Sequence, residues 1–322
     1  MHAMILDEKR DFKWADVPDP VRKDDEVLIR VAAAAVNRAD LMQKAGCYAS
    51  PPDWPPWCGL EAAGIVAEAP ENSRFKKGDR VCALLGGGGY SELVAAPEGM
   101  VLPVPQNLSL VEAAALPEVW ATAYLNIQLE AGGLKPGDIF FVQAGASGVG
   151  LAAIQLAKLM GAKVITTVGS GEKADFVRRL GADIAVDRHG GDLRKVLEEY
   201  NPSVALDCVG GPLMGDCFRN MAFGGRWIMI ATLAGGETKI DLETVWRKRL
   251  KLVGSTLRSR TSQEKSRILH ELETKLWPHF SSGRLVCRIH AQFPISEVEK
   301  AHALLQKNGN IGKVVLTFQE NF

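Results

Sequence analysis

A glycine-rich turn, Ala-Gly-Ala-Ser-Gly-Val-Gly, lies near the middle of the chain at residues 144–150. It follows an apolar run, 139–142, with the length and Phe/Val content of a buried strand, and residues 151–159 then show helical spacing of apolar side chains. Glycines let the backbone approach a ligand, and a helix N-terminus favours an anion. The turn therefore predicts a pyrophosphate site. Its spacing, G-x-x-G-x-G, differs from the G-x-G-x-x-G of the common dinucleotide fingerprint, and glycines also cluster in ordinary turns. Its candidate binding residues are Gly145, Ala146, Ser147, Gly148, Val149 and Gly150.

The residues after the next apolar strand, 163–168, bear on which dinucleotide would bind. NAD-specific sites place a carboxylate there to accept from the ribose 2′-hydroxyl, whereas NADP sites have neutral and basic groups. Gly169 stands at that point, with Ser170 and Lys173 beside it. A hydroxyl and an ammonium bind a 2′-phosphate through charge-assisted hydrogen bonds, so the sequence favours NADP. The alternative is that Ser170 caps a helix and Lys173 is a solvated surface charge.

A second turn, formed by Cys208, Val209 and Gly210, follows the fourth apolar strand of this region. Ligands of parallel sheets bind at the carboxyl ends of the strands, so this turn is a candidate to line the nicotinamide ribose. A tight strand-to-helix connection would need the same glycine.

Strand and helix patterns alternate from Gly137 onward. Strands are predicted at 139–143, 163–168, 184–187, 203–208, 226–231 and 250–255. Helices are predicted at 149–160, 172–180, 191–199 and 212–222. Such alternation is typical of right-handed βαβ crossovers, and it predicts an α/β fold with a doubly wound parallel sheet.

The first third of the chain instead shows many short strands before any long helix, which indicates a β-rich domain. A capping-box pattern at 109–112 marks its end, and a second one at 296–299 is predicted to begin a helix near the C-terminus. Four glycines at 86–89 predict a flexible hairpin turn, with an anion-binding loop as the alternative.

The predicted arrangement is a nucleotide domain inserted in a catalytic domain to which the C-terminus returns through a closing strand at 312–318. The catalytic domain would consist of residues 1–118 and 256–322, and the dinucleotide-binding domain of residues 119–255.

Composition argues against several classes of function. Lys plus Arg and Asp plus Glu both total 38, so the formal net charge is zero, and neither nucleic acid nor a membrane is predicted as the main partner. The six cysteines form no C-x-x-C pair, and no metal site is predicted. The first residues lack the apolar stretch of a signal peptide, so a cytoplasmic location is expected.

Several blocks of sequence, spread over nearly the whole chain, occur in an order that indicates one family. They are 36–42 with 46–48, 59–64, 115–123, 144–150, 207–211, 257–260 and 310–315. In these blocks the chain resembles the zinc-free quinone oxidoreductases of the medium-chain dehydrogenase/reductase superfamily. It is most similar to the branch of the tumour-suppressor-induced NADPH:quinone oxidoreductase, a relative of zeta-crystallin.

This resemblance implies a Rossmann domain inserted in a GroES-like catalytic domain, NADPH as the cofactor, and a homodimer with edge strands of the nucleotide domain as a candidate interface. Zinc-dependent relatives have a cysteine ligand where this chain has Asn37 and a histidine ligand where it has Leu60, so no metal is expected. Without a Lewis acid to stabilise an alkoxide, hydride delivery to a quinone or an α,β-unsaturated carbonyl is the easier chemistry.

By the same resemblance, Asn37 and Tyr48 face the nicotinamide and the acceptor, with Asp40 as a third candidate. An amide and a phenol can hydrogen-bond a carbonyl oxygen that gains charge, and Tyr48 can also supply a proton. The alternatives are that Asn37 is a turn residue, that Asp40 caps the following helix and that Tyr48 packs on a proline-rich loop.

Residues nearer the C-terminus are further candidates. Arg258 and Arg260 are candidates to contact the cofactor's phosphates or the mouth of the cleft. The alternative is that both arginines lie at the surface. Asn310 and Lys313 resemble the family's C-terminal cofactor-contacting motif. The loop at 50–57 carries four prolines and two tryptophans, whose rings either stack on a planar quinone or cover apolar surface.

The sequence therefore predicts an NADPH-dependent quinone reductase that works by hydride transfer. An NADPH-dependent alkenal or enone reductase is the alternative enzyme, and a non-catalytic NADPH-binding protein is the alternative of a different class.

Overall fold

The computed structural model describes residues 1–318 and divides the chain into two compact units. Unit 1 consists of Met1–Ala121 and the residues from Arg258 onward, and unit 2 is Thr122–Leu257. The predicted catalytic and dinucleotide-binding roles of the two parts of the chain stay predictions. The last four residues of the predicted catalytic domain, 319–322, lie outside the described residues.

The elements are as follows. The strands are β1 His2–Leu6, β2 Phe12–Asp16, β3 Glu26–Val36, β4 Glu61–Glu68, β5 Arg80–Leu84, β6 Leu93–Pro97, β7 Val101–Pro103, β8 Ile139–Val142, β9 Lys163–Val168, β10 Ile184–Asp187, β11 Val204–Asp207, β12 Arg226–Met229, β13 Lys251–Gly254, β14 Ile289–Pro294 and β15 Lys313–Thr317. The helices are α1 Arg38–Lys44, α2 Leu110–Ala113, α3 Pro117–Tyr124, α4 Gly148–Leu159, α5 Gly171–Leu180, α6 Leu193–Tyr200, α7 Pro212–Phe218, α8 Leu242–Lys248, α9 Ser262–Ser281 and α10 Val298–Gln306.

Unit 1 is organised around β3, an eleven-residue strand with a run of alanines at its end. Its main sheet has the order β14-β15-β3-β4-β5-β7, and β6 also pairs with β3. The antiparallel register sets Val314 opposite Val36 and Ala62 opposite Ala34. The carboxyl end of β3 therefore meets the first residues of β15 and β4, which brings Asn37, Glu61 and Lys313 to one place.

Unit 2 contains a six-stranded, all-parallel sheet of order β10-β9-β8-β11-β12-β13. Its inner strands, β9, β8, β11 and β12, are largely buried, as expected for strands covered by helices on both faces. The strand order reverses between β8 and β11, and such a switch point is where ligands bind in open α/β sheets. The predicted α/β fold with a Rossmann-type parallel sheet and a second, β-rich part of the chain is confirmed.

Two local predictions about helices were incomplete. α8 was not predicted, because two of its apolar side chains, Leu242 and Trp246, are exposed and give no buried stripe for the pattern to reveal. The helix predicted near the C-terminus is confirmed as α10, but its capping box was wrong: Ile295–Glu297 form a 3₁₀ turn, and no side chain caps α10. The first capping box is confirmed, since Ser109 Oγ accepts from the Glu112 N–H at 3.2 Å and Glu112 Oε2 accepts from the Ser109 N–H at 2.8 Å.

The four glycines at 86–89 do not form the flexible hairpin that was predicted. β5 pairs with β4 and β7, whereas β6 pairs with β3, so the segment connects strands that are not partners. All four glycines are buried. A Cβ on Gly86 would meet the Trp54 ring, and a Cβ on Gly88 would meet Pro55 at 2.8 Å. The glycines are therefore needed because the proline-rich loop packs directly against this backbone.

No helix among residues 1–318 is both long and apolar enough to cross a membrane.

Candidate active site

The polar centre of unit 1 is a buried cluster of Asn37, Glu61 and Lys313 at the end of β3. Glu61 Oε1 accepts from Asn37 Nδ2 at 2.9 Å and from Lys313 Nζ at 2.8 Å. Lys313 Nζ also donates to Asn37 Oδ1 at 2.6 Å and to the Val36 carbonyl at 3.1 Å. Glu61 is fully buried and Lys313 is 5 % exposed, so this ion pair is shielded from water.

The cluster changes what Lys313 and Asn37 can do. The three donors of the Lys313 ammonium have three protein acceptors, which leaves none for a cofactor. These contacts give Lys313 a structural role, and its predicted contact with a cofactor stays a prediction. Asn37 Nδ2 donates to Glu61 and to the Ala35 carbonyl at 3.3 Å, so its amide donors are used as well.

Glu61 was not singled out as a functional residue from the sequence. It lies beside Leu60, where the resemblance places an absent zinc ligand, and its importance follows from partners that are distant in the chain. Its second oxygen, Oε2, accepts from the Glu118 N–H at 2.8 Å, so the first turn of α3 is fixed to the same cluster.

Asp40 lies in the first turn of α1 and is fully buried. Its carboxylate accepts from the Asn37 N–H at 2.7 Å and from the Gly59 N–H at 2.9 Å. Burial raises the pKa of Asp40 to about 6, although both N–H donors act to lower it. These contacts match the capping alternative, and they fix the backbone of Asn37 and Gly59 from the inside.

Tyr48 and Arg258 form a second group in unit 1. The guanidinium carbon of Arg258 lies 4.8 Å from the centre of the Tyr48 ring, within the range of a cation–π contact. Arg258 donates to the carbonyls of Gly86 at 3.0 Å and Tyr48 at 3.2 Å, to Gln43 Oε1 at 2.7 Å and to Ser50 Oγ at 3.1 Å. Arg258 is 6 % exposed, so it holds the backbone around Tyr48 and does not present a free fork to a phosphate.

Tyr48 itself is half-buried. Its hydroxyl has no hydrogen-bond partner among residues 1–318, and the pKa of the phenol is raised, mainly by burial. Of the three predicted catalytic residues, Tyr48 alone therefore offers a side-chain donor that the surrounding protein does not occupy.

Replacing Arg258 with lysine tests the contacts around Tyr48. One ammonium cannot reproduce a buried guanidinium that reaches four acceptors, so we expect the free energy of unfolding to fall by about 2 kcal/mol. Amide hydrogen exchange should accelerate in residues 43–50 and at Gly86, with NADPH affinity unchanged. Arg260→Lys, at the start of α9, is the matched control and should leave exchange in those segments as it is. A large loss of NADPH affinity in Arg258→Lys would instead support the contact with the cofactor's phosphates that was predicted from the sequence.

The remaining C-terminal candidates are placed as follows. Asn310 is buried, and its Nδ2 donates to the Gly312 carbonyl at 2.6 Å, so its amide closes a turn before β15. Arg260 donates to Glu264 Oε1 at 3.3 Å in the first turn of α9. Trp54 packs on the core of unit 1, and Trp57 Nε1 donates to the Gly88 carbonyl at 3.1 Å. These contacts are those of a loop that covers apolar surface.

In unit 2, the glycine-rich turn connects β8 to α4 at the centre of the sheet. A Cβ on Gly145 would meet the Thr166 side chain, and a Cβ on Gly150 would meet the Ala144 carbonyl, so both positions require glycine. Ser147 caps α4, because its Oγ accepts from the Gly150 N–H at 3.0 Å. The N–H groups of Gly148 and Val149, in the first turn, have no partner within the helix. This is the arrangement that holds an anion at a helix N-terminus.

The predicted 2′-phosphate site lies after β9. Ser170 does cap α5, since its Oγ accepts from the Lys173 N–H at 3.3 Å. A Cβ on Gly169 would lie 3.2 Å from the guanidinium of Arg188, which the sequence analysis missed because Arg188 follows the next strand, β10. Arg188 therefore lies beside Gly169, and burial together with the Arg188 charge lowers the pKa of Lys173.

The third predicted cofactor segment, Cys208 to Gly210, forms a turn held from below by Asp207. This buried carboxylate accepts from the N–H groups of Val209 at 2.7 Å and Gly210 at 3.1 Å, and from Trp227 Nε1 at 3.1 Å. Gly210 has φ of +63°, a conformation that favours glycine. Asp207 therefore fixes the position of this turn.

Within residues 1–318, no group of three or more His, Cys, Asp or Glu side chains is arranged to hold a metal ion.

Comparison with known proteins identifies the family. Residues 23–106 match the model of the alcohol dehydrogenase GroES-like domain, and residues 148–274 match that of the zinc-binding dehydrogenases. The quinone oxidoreductase of Lama guanicoe is 31 % identical over 313 residues, which cover 94 % of this chain and 92 % of that protein. The chain belongs to the quinone oxidoreductase family.

Solved structures agree with this assignment. The quinone oxidoreductase of Thermus thermophilus, whose structure has been determined alone and in complex with NADPH, has a TM-score of 0.83 at 30 % identity, and the match covers 98 % of this chain and all of that one. The CurK enoyl reductase has a TM-score of 0.84 at 25 % identity, and the match covers 98 % of this chain and 99 % of that one. The protein is thus an oxidoreductase that acts on a small molecule with a nicotinamide cofactor.

Proposed function

We propose that this quinone oxidoreductase family member reduces quinones with NADPH by hydride transfer. The observation that supports NADPH most directly is the pair of cations, Lys173 and Arg188, beside Gly169, where an NAD-specific site would have a carboxylate. The family supports the acceptor, since the similar proteins of Lama guanicoe and Thermus thermophilus are quinone oxidoreductases.

The residues of unit 2 fit the cofactor. The N–H groups of Gly148 and Val149 would hold the pyrophosphate, Ser170, Lys173 and Arg188 the 2′-phosphate, and the turn at Cys208 to Gly210 the nicotinamide ribose. Bound NADPH supplies the hydride from C4 of its nicotinamide. The side chains then have three tasks: they bind the phosphates, orient the acceptor and supply a proton.

In unit 1, the Tyr48 hydroxyl would donate a hydrogen bond to the acceptor carbonyl; its lack of a hydrogen-bond partner among residues 1–318 supports this role. Asn37, whose amide is held by Glu61 and Lys313, positions the end of β3 and α1. Asp40 acts behind it by fixing the same backbone. The three residues predicted to be catalytic therefore divide into one donor and two positioning residues.

The test is the oxidation of NADPH and of NADH with a small para-quinone, followed at the nicotinamide absorbance, in the wild type and in Tyr48→Phe. Quinone-dependent turnover, faster with NADPH and reduced in Tyr48→Phe, would support the proposal. Equal rates with NADH would contradict the cofactor preference, and the absence of turnover with any quinone would contradict the acceptor.

The second candidate is reduction of an enone or alkenal, which the fold shared with the CurK enoyl reductase supports. The same cofactor site serves both reactions, so the acceptor decides between them. Turnover of a simple enone at a higher kcat/KM than any quinone would favour this candidate. The third alternative, a non-catalytic NADPH-binding protein, predicts cofactor binding without turnover on either class.

The predicted homodimer is also a proposal, and β13 is the proposed contact. It is an edge strand of the sheet in unit 2, and Leu252 on it is exposed, as are Leu242 and Trp246 on the preceding α8. Exposed edges and apolar side chains of this kind are typical of surfaces that another chain covers. Sedimentation of the wild type and of Leu252→Lys would test this assignment.

A further inference from the structure

We propose that Glu118 is the proton donor that completes the reduction of the acceptor. The inference rests on the proposed function, because it assigns the source of the one proton that each reduction consumes together with a hydride. Glu118 has no role in the reaction proposed above or in the family resemblance.

The backbone of Glu118 is fixed, whereas its carboxyl group is free. Glu118 is the second residue of α3, and its N–H donates to Glu61 Oε2 at 2.8 Å. Glu61 is in turn bonded to Asn37 and Lys313, so a continuous set of short contacts joins Glu118 to the end of β3. The Glu118 carboxyl group makes no hydrogen bond or ion pair with any of residues 1–318, and the residue is half-buried.

Charged groups on four elements act on the Glu118 carboxyl group. Glu61 on β4 and Asp40 on α1 disfavour its anion, whereas Lys313 on β15 and Lys265 on α9 favour it. Glu118 in turn raises the pKa of Tyr48.

Both lysines already have protein acceptors: Lys313 bonds Glu61, and Lys265 Nζ donates to the Arg258 carbonyl at 2.8 Å. Burial, followed by the charge of Glu61, raises the pKa of Glu118 to about 8. The residue is therefore a neutral carboxylic acid at pH 7.

A neutral acid with a pKa close to the working pH is well suited to donate a proton and to be reloaded from water. The Tyr48 phenol is less suited, because its pKa is raised above an already high value. In the proposed step, the acceptor gains a hydride, the O–H bond of Glu118 breaks, and a new O–H or C–H bond forms on the acceptor. Water then returns a proton to the carboxylate, so one hydride and one proton are consumed in each cycle.

The pH–rate profile of Glu118→Gln tests this role. In the wild type, kcat with a quinone or an enone should fall as the pH rises through about 8, because the donor loses its proton. In Glu118→Gln, kcat should be about 10²-fold lower and this alkaline decrease should be absent. Glu118→Asp, which keeps an acid on a shorter side chain, should recover part of the rate and retain the alkaline decrease. Glu8→Gln, at an exposed turn between β1 and β2, is the control and should behave as the wild type does.

A measurement without cofactor or acceptor checks the protonation state independently. The folded-state pKa of Glu118 lies above its unfolded value, so its stabilising contribution is complete at low pH and is lost as the pH rises to about 8. The melting temperature of Glu118→Gln, minus that of the wild type, should therefore increase between about pH 5 and about pH 9.

The possible outcomes separate the two proposals. If the wild type turns over a quinone or an enone, and Glu118→Gln has the same kcat and the same alkaline decrease, the donor role is overturned. The proposed function is left intact by that result. A melting-temperature difference that does not depend on pH would overturn it as well. A wild type inactive with every quinone and enone would overturn the proposed function, and the donor role with it.

Discussion

Replacing Lys313 with methionine is expected to lower the free energy of unfolding by about 3–5 kcal/mol, because the substitution leaves the Glu61 carboxylate buried without its counter-charge. Glu61 is fully buried, and Lys313 Nζ lies 2.8 Å from its Oε1. Asn37 Oδ1 and the Val36 carbonyl lose their donor in the same change. The measurement is chemical denaturation of the variant and the wild type, without cofactor.

The matched control is Lys300→Met, which removes an ion pair with Glu297 in which the lysine side chain is 67 % exposed. Exposed pairs contribute about 0–1 kcal/mol, so this variant should unfold close to the wild type. If Lys313→Met were as stable as the wild type but had lost NADPH affinity, the structural role of Lys313 would be wrong and the cofactor contact predicted from the sequence would be right.

The sheet of unit 2 could be predicted closely because its signals are local. Buried parallel strands give apolar runs, and the helices α4 to α7 between them have buried residues, so every predicted strand overlaps an observed one. Where that signal is absent, as in α8 with its exposed Leu242 and Trp246, the helix was missed. The hairpin at 86–89 was wrong for a related reason, since strand pairing is decided by β3, which lies far away in the sequence.

Side-chain partners could not be predicted in the same way. Arg258 contacts Gly86, which is 172 residues away, and Lys313 contacts Asn37, which is 276 residues away. Their positions in a family motif were recognised, but the direction of each side chain depends on acceptors that only the folded sheet brings near. Arg188 was not predicted as a cofactor-binding residue for the opposite reason. No motif surrounds it in the sequence, and only its position beside Gly169 in the structure indicates a role. The role of a long cationic side chain is therefore the least predictable feature of this site.

The double variant Lys173→Ala/Arg188→Ala is expected to weaken NADPH binding by about 10³-fold, since a hydrogen bond to a charged group contributes about 1.5–3 kcal/mol and two are removed. NADH affinity should change little, because NADH has no 2′-phosphate for either cation to bind. The dissociation constants of NADP⁺ and NAD⁺, measured by calorimetry, give the answer without reference to the acceptor. Each single variant should show part of the loss.

The matched control is Arg178→Ala/Arg179→Ala, which removes the same charge from the last turn of α5, at the opposite end of the helix from Ser170. A general effect of net charge on an anionic ligand would appear in both double variants, whereas a 2′-phosphate site would appear only at Lys173 and Arg188. If NADP⁺ and NAD⁺ lost affinity equally at those two positions, the cations would bind the shared pyrophosphate. The preference for NADPH would then need another explanation. Gly169 alone only means that the site lacks the carboxylate that would bind the ribose 2′-hydroxyl of NAD.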